Sequence, residues 1–209
     1  MSHTRTVEAI ILKAHDVGEA DRFCILFTKE LGKIAARARS VRKPGSRIGG
    51  TLLAPQHVSI ELRESSAGYM VIDAKRLDET FDTNVTAFLH MQQGIELLLN
   101  ILQDEEPLPD LFATTKTFLQ KPTDAVLPFT LVLLNKMGLL PEIDNAYFGG
   151  YSENQKSYIR QSLTENWEQL PELSEKERLD FSASCAELLS QISSREMKVG
   201  SVMQDINVS

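Results

Sequence analysis

The sequence predicts an α+β protein, an N-terminal five-stranded β-barrel of the OB type followed by an α-helical bundle domain. Three observations carry that prediction. Over about the first 80 residues, apolar side chains recur in short β-branched or alternating runs; after Phe81 they recur at three- and four-residue steps. Turn-forming clusters separate the early runs, whereas helix caps and breakers mark the later ones. The charge also changes sign. Residues 1–80 hold 13 Lys and Arg against 10 Asp and Glu, and residues 81–209 hold 9 against 19, within a chain of net charge −7. Two modules with different partners are expected, 1–80 and 81–209.

The predicted strands are 6–14, 22–28, 33–40, 57–64 and 69–77, divided by "HDVGEAD", "KELG", "RKPGSRIGG" and "SSAG". Five short strands in so few residues suit a small closed barrel. Cys24 falls inside an apolar strand. Phe23, Ile25 and Phe27 alternate on one face of the second strand, so both phenylalanines are expected in the core.

The helical half begins with 84–103, whose apolar stripe is read as Val85, Phe88, Leu89, Ile95, Leu98, Leu99 and Leu102, with Gln92 as a polar gap. A shorter helix starts after Pro109 and runs to 120. The segment 123–138 is apolar nearly all round and reads as a buried central helix, closed by Gly138 and then Pro141. Ser174 and Glu177 form a capping box that opens a last helix, with a stripe of Leu179, Phe181, Cys185, Leu188, Leu189 and Ile192. From about Arg195 the tail is weakly patterned and compatible with disorder.

Several function classes lack support. No run reaches the ~18–20 apolar residues of a membrane span, the N-terminus has no cleavage-site pattern, and two cysteines make no disulfide framework. A reducing cytoplasm is the expected location. There is no Gly-rich phosphate loop, no HExxH and no GxSxG. His3, His15, His57 and His90 are scattered, and each reads as a surface or edge residue. "DVGEADR" (16–22) holds three carboxylates, but a polar turn bent at Gly18, with Asp21 or Glu19 pairing with Arg22, accounts for it better than a metal. No enzyme, no cofactor and no metal site are expected.

One stretch stands against the acidic background. From Lys29 to Gly50 there are seven Lys or Arg and one carboxylate, Glu30. Written as a strand, "KIAARAR" puts Lys33, Ala35, Arg37 and Arg39 on one face and Ile34, Ala36 and Ala38 on the other. The apolar set can fill a barrel. The basic set then lies outside at steps of ~6.6–7 Å, close to the reach of one nucleotide of an extended strand. The loop adds Arg42, Lys43 and Arg47 around a Pro-Gly turn, read as a mobile basic loop. The alternative is a solvated face with no partner; the concentration of charge in an acidic chain favours a polyanion. Stacking platforms look poor, so binding through phosphates is expected, with little sequence preference.

The residues from "AIILKAHDVGEADRFCILFTKELGKIAARARS" to the Ser46-Arg47 loop near Gly50 resemble the N-terminal region of the RecO family of recombination mediators. The shared pattern is an apolar strand ending in Lys13, Gly18-Glu19-x-Asp21-Arg22, Phe27-Thr28 and Leu31-Gly32-Lys33. Further on, "MGLLPEIDNAYFGG" resembles the family's approach to a Cys-x-x-Cys zinc site. Here the cysteine positions fall on Ala146 and Gly149, so a zinc-free variant is expected, with a degenerate loop at about 141–156 and "YFGGYSENQKSY" as a shortened loop.

The resemblance implies an OB-fold joined to a helical domain and binding of single- and double-stranded DNA. It also implies annealing of complementary strands and help in loading RecA onto DNA covered by single-strand-binding protein, usually with RecR. It would place the protein in recombinational repair by the RecF pathway and near the nucleoid. A contact with the acidic tail of single-strand-binding protein is expected on the helical domain, with Lys116 and Lys121, flanking Phe118 and Leu119, as candidates. A protein-interaction adaptor and an RNA-binding barrel remain alternatives.

Overall fold

The computed structural model describes residues 3–77 and 84–190. They form two compact units: the first gathers the described residues before position 83 with Leu102–Lys116, the second gathers the rest. The expected division at residue 80 therefore misses one exchange. Residues 102–116 belong with the barrel.

In the first unit, β1 (His3–Val17), β2 (Asp21–Thr28), β3 (Gly32–Ala38), β4 (His57–Ser65) and β5 (Gly68–Arg76) close a barrel in the order β1-β2-β3-β5-β4. All pairs are antiparallel except β3 with β5. Closure depends on β1, which pairs β4 from His3 to Ile10 and β2 from Ala9 to Val17, with a register shift between Ile11 and Lys13. The interior is filled by Val7, Ala9, Ile11, Cys24, Leu26, Ile34, Ala36, Ala38, Val58, Ile60, Leu62, Val71 and Ala74, with Val41 and Leu52 from the β3–β4 loop. In β1 to β4 these are alternate positions, as a pleat demands; in β5, Val71 and Ala74 are three apart, where the β4–β5 pairing shifts register between Glu61 and Leu62. Strand β3 stops at Ala38 rather than at 40, since Ser40 takes a left-handed φ of 56°.

Phe27 is buried on the outside of the barrel, where its ring meets Phe112 of helix α2 (Pro109–Gln120) edge-on at 5.5 Å. The chain before α2 runs along β3: Glu105 N–H donates to the Lys33 carbonyl at 2.9 Å, and Lys33 and Asp104 bridge in parallel. Gly32 makes that approach possible. Its φ is +71°, and a Cβ there would overlap the backbone of Glu106.

His57 is buried, contrary to the surface or edge position expected for it. Its Nε2 lies 2.7 Å from the Glu8 carboxylate, which also accepts from Lys116 Nζ at 2.8 Å. Burial raises the Glu8 carboxyl, but the hydrogen bonds and charges of Lys116 and His57 outweigh it and leave the group below its ordinary value of 4.5. His90 is likewise buried.

In the second unit, helix α3 (Val126–Lys136) is the centre, buried at every position from Val126 to Leu134 and packed against α1 (Val85–Ile101), α4 (Glu153–Ser162) and α5 (Glu175–Ser190). Phe118 at the end of α2 stacks on Phe129 at 4.3 Å, and α1 passes so close to it that a Cβ on Gly94 would overlap the Phe118 ring.

Two helices depart from expectation. The buried face of α1 is Ala87, Met91, Gly94, Ile95, Leu98 and Ile101, rotated from the expected stripe, so that Val85, Phe88 and Leu89 are exposed. The small residues Ala87 and Gly94 allow close packing there, which outweighs maximal burial of large side chains. The segment expected as a loop contains α4, opened by a complete capping box in which Ser152 and Gln155 bond each other's backbone N–H.

Helix α5 begins with the expected box: Ser174 N–H and Oγ donate to Glu177 at 2.9 Å. Ser152 Oγ also donates to Glu177, at 2.6 Å, so one carboxylate ties together the starts of α4 and α5. In the stripe of α5, Phe181, Cys185, Leu188 and Leu189 are buried, whereas Leu179 is exposed; Ile192 and the tail lie outside the described residues.

Gly32→Ala is expected to destabilise the protein by on the order of 2–3 kcal/mol, because positive φ and overlap with Glu106 act together. Chemical denaturation at constant m-value measures it; a change under ~0.5 kcal/mol, the usual range of a surface substitution, would contradict the account.

Candidate nucleic-acid interface

Strand β3 is built as its alternation predicts. Ile34, Ala36 and Ala38 are buried, while Ala35, Arg37 and Arg39 are exposed and Lys33 is half-buried. The loop that follows is pinned rather than free. Val41 and Leu52 plug the barrel, and Arg22 donates to the carbonyls of Gly49 at 2.9 Å and Leu52 at 3.0 Å. At its tip, Ser46 N–H donates to the Lys43 carbonyl at 3.1 Å, and Gly45 takes φ +86° after Pro44, the pattern of a type II turn. Arg42, Lys43 and Arg47 are all exposed on this loop.

Carboxylates set which of these cations are free. Asp21 accepts from Arg37 at 2.7 Å and from Ser40 N–H at 2.8 Å. Asp16 pairs with both Arg22 at 2.9 Å and Arg42 at 3.1 Å. The turn "DVGEADR" thus clamps the basic loop, through Asp16 and Asp21 rather than the expected Asp21 or Glu19 to Arg22. Lys33 pairs with Asp104 at 3.2 Å. Arg39, Lys43 and Arg47 carry no ion pair with any described residue.

Two outward cations escaped the sequence reading. The register shift after Ile11 turns Lys13 outward opposite Ile25, and Arg63 faces out on β4 opposite Met70. A lone charge ending an apolar run is the signal for Lys13; Arg63, set between Glu61 and Glu64, is assigned outward by the alternation of β4, where Leu62 is inner. Phe23 also faces away from the interior, where its neighbour Cys24 points, and is half-buried rather than core.

The two lysines proposed for a protein partner are placed differently. Lys116 belongs to the cluster with Glu8 and His57, and Phe118 and Leu119 are interior, so neither forms an apolar groove at the surface. Lys121 is exposed, pairs with Glu168 at 2.7 Å, and rims a pocket of about 390 Å³ that includes Trp167 and Asp124. Among the described residues no cluster of His, Cys, Asp or Glu could hold a metal ion, and no helix is long and apolar enough to cross a membrane. Burial pushes the thiols of Cys24 and Cys185 up to about 11 and about 12.

Comparison with known proteins agrees with this barrel. Residues 1–77 match the family model described as the N-terminal domain of recombination protein O. Over the barrel the chain is similar to the N-terminal domain of the RecO family. A protein named DNA repair protein RecO from Myxococcus xanthus is 27% identical over 165 residues, which cover 74% of this chain and 67% of the relative. The protein of the same name from Syntrophobacter fumaroxidans is 30% identical, covering 73% and 64%. That from Heliobacterium modesticaldum is 32% identical, covering 65% and 52%. The chain thus spans about half to two thirds of the length of the RecO proteins it matches.

The Ser40 N–H and the Arg37 guanidinium hold the Asp21 carboxyl below the ordinary 3.8. Its stabilising contribution is therefore present above pH 3.8 and lost as the pH falls through the depressed value. Carbon-detected NMR titration should place its midpoint below 3.8, and Arg37→Ala should move it upward; an unmoved midpoint would show that Arg37 is not its partner in solution.

Proposed function

We propose that the protein is a non-catalytic DNA-binding mediator of recombinational repair. It holds single- and double-stranded DNA on the outer face of β3 and the loop after it, mainly through phosphates. It anneals complementary strands and, with RecR, helps load RecA onto DNA covered by single-strand-binding protein. The observation that carries this reading is the collection of exposed cations on one pinned surface, Arg37, Arg39, Arg42, Lys43 and Arg47, in a chain of net charge −7. An acidic chain gains nothing non-specific from a polyanion, so a local basic surface implies a dedicated one. The names of its RecO relatives support the pathway.

Arg39, Lys43 and Arg47 are the primary phosphate contacts, because binding them breaks no internal ion pair. Arg37 and Arg42 must exchange or share Asp21 and Asp16. Neutralising phosphates on two strands lowers their mutual repulsion and leaves base edges free to pair, which is what annealing needs. For a protein partner with an acidic tail, the candidate is Lys121, whose pair with Glu168 is exposed beside the Trp167 pocket, and not Lys116, which Glu8 holds and whose neighbours Phe118 and Leu119 are interior.

The competing reading, an adaptor whose acidic helical domain docks a protein, is separated by salt-dependent binding to oligonucleotides. Wild-type protein should bind at low salt and lose affinity steeply as salt rises. Arg39→Ala, Lys43→Ala and Arg47→Ala together should lower the log–log salt slope on single strands by about 2, at ~0.7 per phosphate contact. An unchanged slope would overturn this assignment, and no binding at low salt would favour the adaptor. Annealing of strands coated with single-strand-binding protein should slow in the same triple variant.

A further inference from the structure

The outer face of the barrel carries more than charge. Cross-strand register places His15, Phe23, Arg37, Met70 and Arg63 in one row over β1, β2, β3, β5 and β4. Neighbours in such a row stand ~4.8 Å apart. His15 and Phe23 already form a pair, ring centroids 5.3 Å apart and planes tilted by 47°. His15 is exposed and Phe23 half-buried, so part of this aromatic pair is accessible to solvent. Lys13 lies two residues before His15 on the same face of β1, and Arg37 is the direct neighbour of Phe23 on β3.

An aromatic ring fixed in a sheet and flanked by cations on both sides fits one ligand chemistry. A base can lie on the ring while the phosphates before and after it meet Lys13 and Arg37 or Arg39. We infer that Phe23, with His15 beside it, is a base-stacking platform that selects single-stranded over duplex DNA. The inference rests on the DNA-binding reading and extends it, since phosphate contacts alone do not discriminate strongly between the two forms. Bases in a duplex have both π faces covered by their neighbours; those of a single strand can unstack and move onto a side chain. Phe27, the other outward phenylalanine of β2, cannot serve, because Phe112 covers it.

The test compares wild type, Phe23→Leu and His15→Ala on an oligo-dT strand and on a duplex of the same length, at matched salt. Phe23→Leu keeps apolar volume and removes the π face. It should weaken single-strand binding by at least about fivefold, the lower end for one stacked base, with duplex affinity and salt slope unchanged. His15→Ala, at an exposed position, should weaken it less and in the same direction, and Phe23→Tyr should restore binding. A strand carrying 2-aminopurine should be quenched by wild type and not by Phe23→Leu. Equal binding of single strands by wild type and Phe23→Leu overturns this inference alone, as does equal loss on both DNA forms. Wild-type protein that binds neither form overturns the DNA-binding reading as well.

Discussion

The first unit depends on β1 pairing along both edges. Ala9 and Ile10 each face a residue of β2 on one side and of β4 on the other, so this short overlap closes the barrel. Closure with only five strands leaves a narrow interior. The residues inside reflect it: Ala9, Ala36, Ala38, Ala74 and Cys24 alternate with branched aliphatics, and no phenylalanine or tryptophan is among the buried interior. Phe23 and Phe27 lie outside with the charged partners of the same alternation, and Tyr69 is only partly buried against the interior. The exclusion that makes the barrel small thus also puts Phe23 beside Arg37.

Much of this was legible from alternation. Lys33, Arg37 and Arg39 could be assigned to the outer face because Ile34, Ala36 and Ala38 had to be inner, and a period of two allows no other solution once one face is buried. Phe23 was misread for the opposite reason. Its apolarity suggested core, but the period assigns faces, and only the barrel's diameter says which face takes the large rings. The large apolar residues of α1 point to the wrong face because small ones set it: Ala87 is buried, and a Cβ on Gly94 would overlap the Phe118 ring. Helix α4 was missed since "SENQ" is a capping box followed by a polar sequence, and its buried residues, Gln155, Tyr158, Ile159 and Ser162, are half polar.

The carboxylates around the basic surface limit what it can do. With Asp16 and Asp21 engaged, Arg37 and Arg42 are held in fixed orientation at the root of the loop, while Arg39, Lys43 and Arg47 have no ion pair with a described residue. Exposed ion pairs of this kind add little stability, ~0–1 kcal/mol each; their larger effect is on shape. They fix the loop's start against the β1–β2 turn, so that the side chains offered to a ligand are presented at low entropic cost. An arginine already oriented loses less freedom on meeting a phosphate, but must share its charge. The paired and unpaired cations are therefore not equivalent, a distinction that a count of basic residues cannot make.

In the second unit a comparable economy holds the irregular stretch between α3 and α4. Tyr147, Phe148 and Tyr151 form a chain of edge-on contacts that continues to Phe181, and the Tyr151 hydroxyl donates to Ser184 Oγ at 2.7 Å. Burial pushes that phenol up to about 12, so it stays a donor at any ordinary pH. At the next turn, Glu177 is drawn down to about 2 by the Ser152 hydroxyl and by the backbone and hydroxyl of Ser174, so it stays an acceptor. A donor that does not lose its proton and an acceptor that does not gain one anchor α4 to α5 across the same pH range. No metal is needed for that connection, since aromatic packing fixes the stretch on one side and a doubly capped carboxylate fixes it on the other.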